Sequence, residues 1–118
     1  MYNKRQVGSH NEELAIKYLE KNGYMVLSKN FYCKTGEIDI IAKEESYLVF
    51  IEVKYRTNDK YGLPADAVNL NKMRKISRTA MFYMLKNNIS IDTPIRFDVV
   101  VLLKDEIQLI KNAFEAVM

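Results

Sequence analysis

A chain of 118 residues, 48% hydrophobic and 28% charged, can bury a core of its own and is too apolar to stay disordered. A single cysteine, Cys33, excludes an intrachain disulfide, and with one histidine, His10, it argues against a structural zinc site. The net charge of +3 admits a polyanionic partner, and no apolar run approaches the roughly 20 residues needed to cross a bilayer.

The first residues, Met1 to Gln6, are polar and basic with no apolar run behind them, so no signal peptide is expected and the cytoplasm is the natural compartment. Ser9 reads as a helix N-cap, with Glu12 three residues later as in a capping box. The helix carries an apolar stripe of Leu14, Ala15, Tyr18 and Leu19 and ends near Asn22, with Gly23 in the left-handed position beyond it. Tyr24 to Leu27 reads as a first strand, extended by Phe31 to Cys33 after a kink at Ser28 to Asn30. Lys34-Thr35-Gly36 is a turn. Glu37 to Ala42 and Tyr47 to Tyr55 form a hairpin across a short polar connection.

Thr57 to Gly62 reads as a polar loop, and Pro64 suits a first helical turn running to Val68. A longer helix is expected from about Asn71 to Lys86, with Met73, Ile76, Ala80 and Tyr83 as its buried seam and Asn87-Asn88 as its end. Ile95 to Leu103 is a nearly continuous apolar run, which predicts a strand buried on both faces. A short strand from Ile107 to Ile110 follows, and the pattern stops there. A helix joining the third and fourth strands permits a parallel pairing. The expected fold is therefore a single α/β domain spanning 1–118, a mixed sheet with helices packed on it.

Two of these strands carry charge where a buried strand should not. Asp39 sits among Ile38, Ile40 and Ile41, and Glu52 sits between Ile51 and Val53 with Lys54 next. Glu52 and Lys54 share a strand face. Buried carboxylates are normally paired or bound to a metal. Two acids on neighbouring strands suffice for a hard divalent cation such as Mg²⁺ or Mn²⁺, which keeps several waters. Such an ion neutralises charge on a scissile phosphate, and an ammonium beside it can orient the attacking water. The other reading of the same residues is a pair of surface ion pairs, with Lys54 meeting Glu52.

Asp39 followed by Glu52-Val53-Lys54 resembles the D…(D/E)xK signature of restriction-endonuclease-like nucleases. Together, Gly36 to Ala42, Phe50 to Arg56, Arg96-Phe97-Asp98-Val99-Val100 and Lys111-Asn112-Ala113-Phe114 resemble the YraN family of small bacterial proteins, similar in fold to archaeal Holliday-junction resolvases. The resemblance covers nearly the whole chain and implies a restriction-endonuclease-like core. It implies Asp39, Glu52 and Lys54 as catalytic residues, with Asp39, Glu52 and Glu12 around the metal. A first-helix glutamate completes the site in such nucleases, although Asn11 stands where the family has glycine. The capping box is the competing role for Glu12. Glu37, two residues before Asp39, is a candidate supporting group or a cap for the turn at Gly36.

From Lys54 to Lys86 there are eight basic residues against two acidic ones, so the rest of the chain is net negative. That asymmetry marks a phosphate-binding face built from Arg56, Lys72, Arg74, Lys75 and Arg78, unless these simply form a solvated helix face. Lys72 also matches a family lysine near the active face. Asp98 reads equally as a structural hydrogen-bonding carboxylate and as a functional one. The leading expectation is a metal-dependent endonuclease acting on DNA rather than RNA, on branched or structured substrates, as a homodimer and without a membrane. The alternatives are a non-catalytic nucleic-acid-binding module and a protein-interaction domain with a vestigial site.

Overall fold

The computed structural model describes the backbone of residues 4–56, 69–104 and 106–117, with side chains from His10 onward. The elements are α1 (Lys4–Lys21), β1 (Met25–Cys33), β2 (Gly36–Glu44), β3 (Tyr47–Tyr55), α2 (Leu70–Lys86), β4 (Ile95–Leu102) and β5 (Ile107–Phe114). The expected loop from Thr57 to Gly62 and the helical turn from Pro64 to Val68 lie outside the described residues. No helix among the described residues is long and apolar enough to cross a membrane.

The five strands form one sheet in sequence order. β3 and β4 are parallel, with α2 between them in the chain, and the other three pairings are antiparallel. Alternation along β3 divides the core in two. Leu48 and Phe50 join Ile76, Ala80 and Met84 of α2 on one face. Val49 and Ile51 join Ala15 and Leu19 of α1 on the other. β4 is buried from Phe97 to Leu102, with Val99 and Val101 on the α2 side and Val100 and Leu102 on the α1 side. A mixed sheet with one helix on each face is the expected α/β architecture, that of a restriction-endonuclease-like core.

Several local expectations change. α1 begins at Lys4, so Ser9 is inside the helix and the capping box is absent. Ser three residues before Glu marks a helix start only where the chain upstream leaves helical geometry, and here it does not. Leu14 is exposed, and the buried line of α1 is Ala15 and Leu19. β5 runs four residues further than the apolar pattern, to Phe114, whose ring stacks on Phe97 at 4.8 Å between centroids. The pattern breaks at Lys111 and Asn112 because β5 bulges there: Asn112 takes φ +54°, and the β4–β5 register shifts between Phe97 and Val99.

α2 starts one residue earlier than expected. The Asn69 side chain accepts the Lys72 N–H at 2.9 Å, a regular N-cap. Its buried face includes Ser77 and Thr79 besides Ile76 and Ala80, while Met73 and Tyr83 are only partly covered.

Candidate active site

The site lies where β2 and β3 part. Their ladder runs from Glu44↔Tyr47 to Ile40↔Ile51 and ends. β2 stays paired with β1 as far as Gly36↔Cys33. In place of a backbone bond, the Asp39 carboxylate accepts the Val53 N–H through Oδ2 at 2.8 Å. On β1, Asn30 takes φ +53° between the in-register pairs Lys29↔Ile40 and Phe31↔Ile38, and the β1–β2 register shifts earlier, between Val26 and Ser28. Ile40 packs on the α1 side and Ile38 on the α2 side, although they are two residues apart. The chain thus twists at Asp39 and turns its carboxylate into the opening. Gly36 lets the turn below press against α2, since a Cβ there would lie 3.3 Å from Thr79 Oγ1 at a φ of +150°.

Glu52 follows the ladder's last residue on β3 and is 6% exposed. Its parallel neighbour on β4 is the core residue Val99, so an apolar wall flanks the carboxylate. Burial pushes the Glu52 carboxyl up to about 9, and the adjacent Asp39 carboxylate adds to the rise by hydrogen bonding and repulsion. Glu52 Oε2 is buried without a hydrogen-bond partner. Lys72 Nζ, arriving from the first turn of α2, stands 3.6 Å from that oxygen, an ion-pair separation too long for a hydrogen bond.

Lys54 is beside this pair. Burial, then hydrogen bonding with and repulsion by Lys72, hold its amine below the ordinary lysine value, against the pull of Glu52 and Asp39. Burial acts on Lys72 in the same direction, but Lys54 as hydrogen-bond acceptor and the two carboxylates outweigh it, and Lys72 ends above the ordinary value. The two amines are therefore unequal: Lys72 keeps its proton more firmly than Lys54.

Glu37 is exposed at the same opening, and partial burial, then the Asp39 carboxylate, then the charge of Glu12 raise its carboxyl above the usual range. Glu12 reaches this end of the sheet from α1 and accepts the Asn30 side-chain N–H at 2.9 Å. Among the described residues no group of three or more His, Cys, Asp or Glu side chains is gathered as a metal-ligand set, so the close acidic pair is Asp39 and Glu52, with Glu37 and Glu12 at its border. Two carboxylates, one of them with an orphaned, buried oxygen, fit a hard divalent cation that retains waters.

Of the expected phosphate contacts, Lys72 is in the site itself. Arg74, Lys75 and Arg78 are exposed on α2 and form no ion pair among the described residues. Arg56 is half-buried, and its N–H carries the β3–β4 ladder one step on by donating to the Leu102 carbonyl at 2.9 Å. Lys60, counted in the basic run, lies outside the described residues.

A second charged cluster, not anticipated as a unit, lies on the α1 side of the sheet. Asp98, fully buried, accepts from Tyr24 Oη at 2.7 Å, from Arg96 Nε and Nη2 at 2.9 and 2.8 Å, and from the Asn112 N–H at 2.9 Å. Arg96 also pairs with Glu44 at 2.9 Å, and Lys111 reaches Glu44 at 3.1 Å. Burial alone would raise the Glu44 carboxyl, but the hydrogen bonds from Arg96 and Lys111 bring it below its ordinary value. Asp98 is the structural carboxylate: four donors saturate it, and one of them is the backbone N–H of the β5 bulge. The contrast with Glu52 is physical. One buried acid is fully satisfied; the other has an oxygen with no donor.

The chain matches the family described as "Uncharacterised protein family UPF0102" over residues 11–102. It is 53% identical over 114 residues to a UPF0102 protein of Lachnoclostridium phytofermentans, covering 97% of each chain. It is 43% identical over 120 residues to a UPF0102 protein of Clostridium botulinum strain 657, covering 97% of this chain and 98% of that one. It is 46% identical over 114 residues to a UPF0102 protein of Clostridioides difficile strain 630, covering 95% and 99%. The stretch matched takes in Glu12, Asp39, Glu52, Lys54, Lys72 and Asp98 together, and the chain belongs to the UPF0102 family, which is the YraN family.

Proposed function

We propose that the protein is a metal-dependent endonuclease that hydrolyses phosphodiester bonds in DNA, with branched or structured DNA as the favoured substrate. The observation that carries this reading is the buried Glu52 Oε2 left without a hydrogen bond beside Asp39. An unsatisfied buried carboxylate oxygen is destabilising, and a site that retains one is shaped for something that binds there. Asp39 and Glu52 would hold Mg²⁺ or Mn²⁺, with Glu12 and Glu37 at the border of the site. When bound, such an ion neutralises phosphate charge and lowers the pKa of water. Lys54, beside the two carboxylates, orients the attacking water. Water oxygen bonds to phosphorus as the bridging P–O bond breaks, the water giving its proton to solvent and the departing oxygen taking one from solvent. Lys72 and the exposed cations of α2, with Arg56, hold the DNA backbone. Resolving a junction requires two symmetric cuts, so the working unit is a homodimer.

The test is cleavage of labelled branched and linear DNA with Mg²⁺ or Mn²⁺ by the wild type, Asp39→Ala and Lys54→Ala. Metal-dependent products from the wild type and their loss in both variants are expected. Equal products from all three would remove the catalytic reading. The exposed Arg74, Lys75 and Arg78 favour one second reading, a nucleic-acid-binding module without catalysis. In that case DNA binding survives Asp39→Ala unchanged and no strand is cut.

A further inference from the structure

Lys72 and Glu52 meet under unequal constraints. Glu52 is fixed on a central strand with Val99 at its side, and its side chain is 6% exposed against 39% for Lys72. Lys72 ends a flexible four-carbon stem rooted in the first turn of a surface helix. The only ion pair to Glu52 among the described residues is the 3.6 Å approach of the Lys72 ammonium. That approach is aimed at the oxygen with no hydrogen-bond donor. A divalent cation shared by Asp39 and Glu52 would stand within a few ångströms of the same ammonium. Two cations so close in a partly desolvated site repel strongly. The carboxylate cannot move away, whereas the lysine can.

We propose that Lys72 is an exchangeable counter-ion, standing at Glu52 until a divalent cation binds and then swinging out to become a ligand for a nucleic-acid phosphate. The proposal rests on the metal-dependent reading of the site. It adds that loading the cation and binding DNA are coupled through one side chain. The cation frees the lysine for phosphate, and phosphate draws the lysine off the cation site. Coupling of this kind is reciprocal, each partner changing the other's affinity by the same factor. A proton on Glu52 also competes for the oxygen, but removing the ammonium relieves a divalent ion of twice the repulsion it relieves for a proton. The net effect of deleting the lysine's charge is therefore tighter metal binding.

The experiment is calorimetric titration of Mn²⁺ into the wild type, Lys72→Met, Lys72→Arg and Asp39→Ala, without DNA. The same four proteins are then titrated into a fluorescent four-way DNA junction with and without Ca²⁺. Lys72→Met should bind Mn²⁺ roughly fivefold or more tightly than the wild type, within the usual range of coupling factors, while Lys72→Arg behaves like the wild type. Ca²⁺ should raise the wild type's affinity for the junction, and Lys72→Met should lose a comparable factor of that gain. Equal Mn²⁺ affinity in the wild type and Lys72→Met, with loss only in Asp39→Ala, would overturn the counter-ion and leave the metal site standing. If Mn²⁺ binds none of the four, the metal reading falls and the counter-ion with it.

Discussion

Replacing Glu52 with Gln should make this protein more stable and less able to bind metal. The Glu52 carboxyl titrates at about 9 in the folded chain against an ordinary value of 4.5. Between those values the folded state holds a proton that the unfolded state has lost, so unfolding releases a proton and stability falls as pH rises. The contribution is fully present below pH 4.5 and is lost progressively towards pH 9. At pH 7 the linkage disfavours folding by up to about 3 kcal/mol, at 1.36 kcal/mol for each pH unit above the ordinary value. Glu52→Gln keeps the shape, is neutral at every pH and cannot titrate, so it carries no cost of taking up a proton on folding. With metal chelated at pH 7 its melting temperature should rise by on the order of 5–10 °C for a chain of this length. Thermal melts followed by circular dichroism at pH 5, 7 and 9 read the effect directly. The wild type should lose stability across the series more steeply than the variant. A variant that melts with the wild type at every pH would show that Glu52 is not strained, and the main support for a cation site would go.

Further outcomes follow from the other charged groups. Asp98→Ala leaves Arg96 and the Tyr24 hydroxyl without their shared acceptor and frees the β5 bulge; a loss of about 3–5 kcal/mol is expected for breaking a buried pair, measured by urea denaturation. Arg78→Ala should weaken DNA binding at all sequences alike and lower the salt-dependence slope by about one, measured by anisotropy between low and moderate salt. Gly36→Ala forces a side chain onto φ +150° and within 3.3 Å of Thr79 Oγ1, so it should cost about 1–3 kcal/mol and be visible as a lowered melting temperature.

What the sequence reveals of this chain follows the range of the interactions. β3 and β4 are legible because their apolar runs are dictated by cores that touch both faces. The β2–β3 hairpin is legible because its turn is local. Asp39 and Glu52 stand out because each interrupts such a run. Ser9 misleads for the opposite reason: a capping motif is a local pattern, and the helix that crosses it is decided by residues upstream. The Tyr24–Arg96–Asp98–Glu44–Lys111 cluster could not be assembled from the sequence, since its hydrogen bonds join residues up to 74 positions apart. The meeting of Lys72 with Glu52 is hidden likewise, because the two are brought together by the crossover that packs α2 against the sheet. The continuation of β5 is masked by Lys111 and Asn112, polar residues that a strand tolerates there because one reaches Glu44 and the other lends its N–H to Asp98.

The two buried acids also explain why a small sheet can hold an unstable site without unravelling. Where β2 leaves β3, two strands expose backbone groups that would otherwise want partners. Asp39 takes up one of them, Val53 N–H, with a single carboxylate oxygen, so the group that ends the ladder also faces the opening. At Asp98, on the other face, a carboxylate performs the same task for Asn112 N–H, with the Arg96 guanidinium to neutralise it. The difference lies in what else is present. Asp98 has a fixed guanidinium and a phenol at hydrogen-bond distance, so nothing remains to be bound. Among the described residues Glu52 has one ammonium at ion-pair distance, that of Lys72 on its four-carbon stem, and no hydrogen-bond donor to Oε2. One end of the sheet thus has a buried acid that is fully paired, and the other has one left short of a donor.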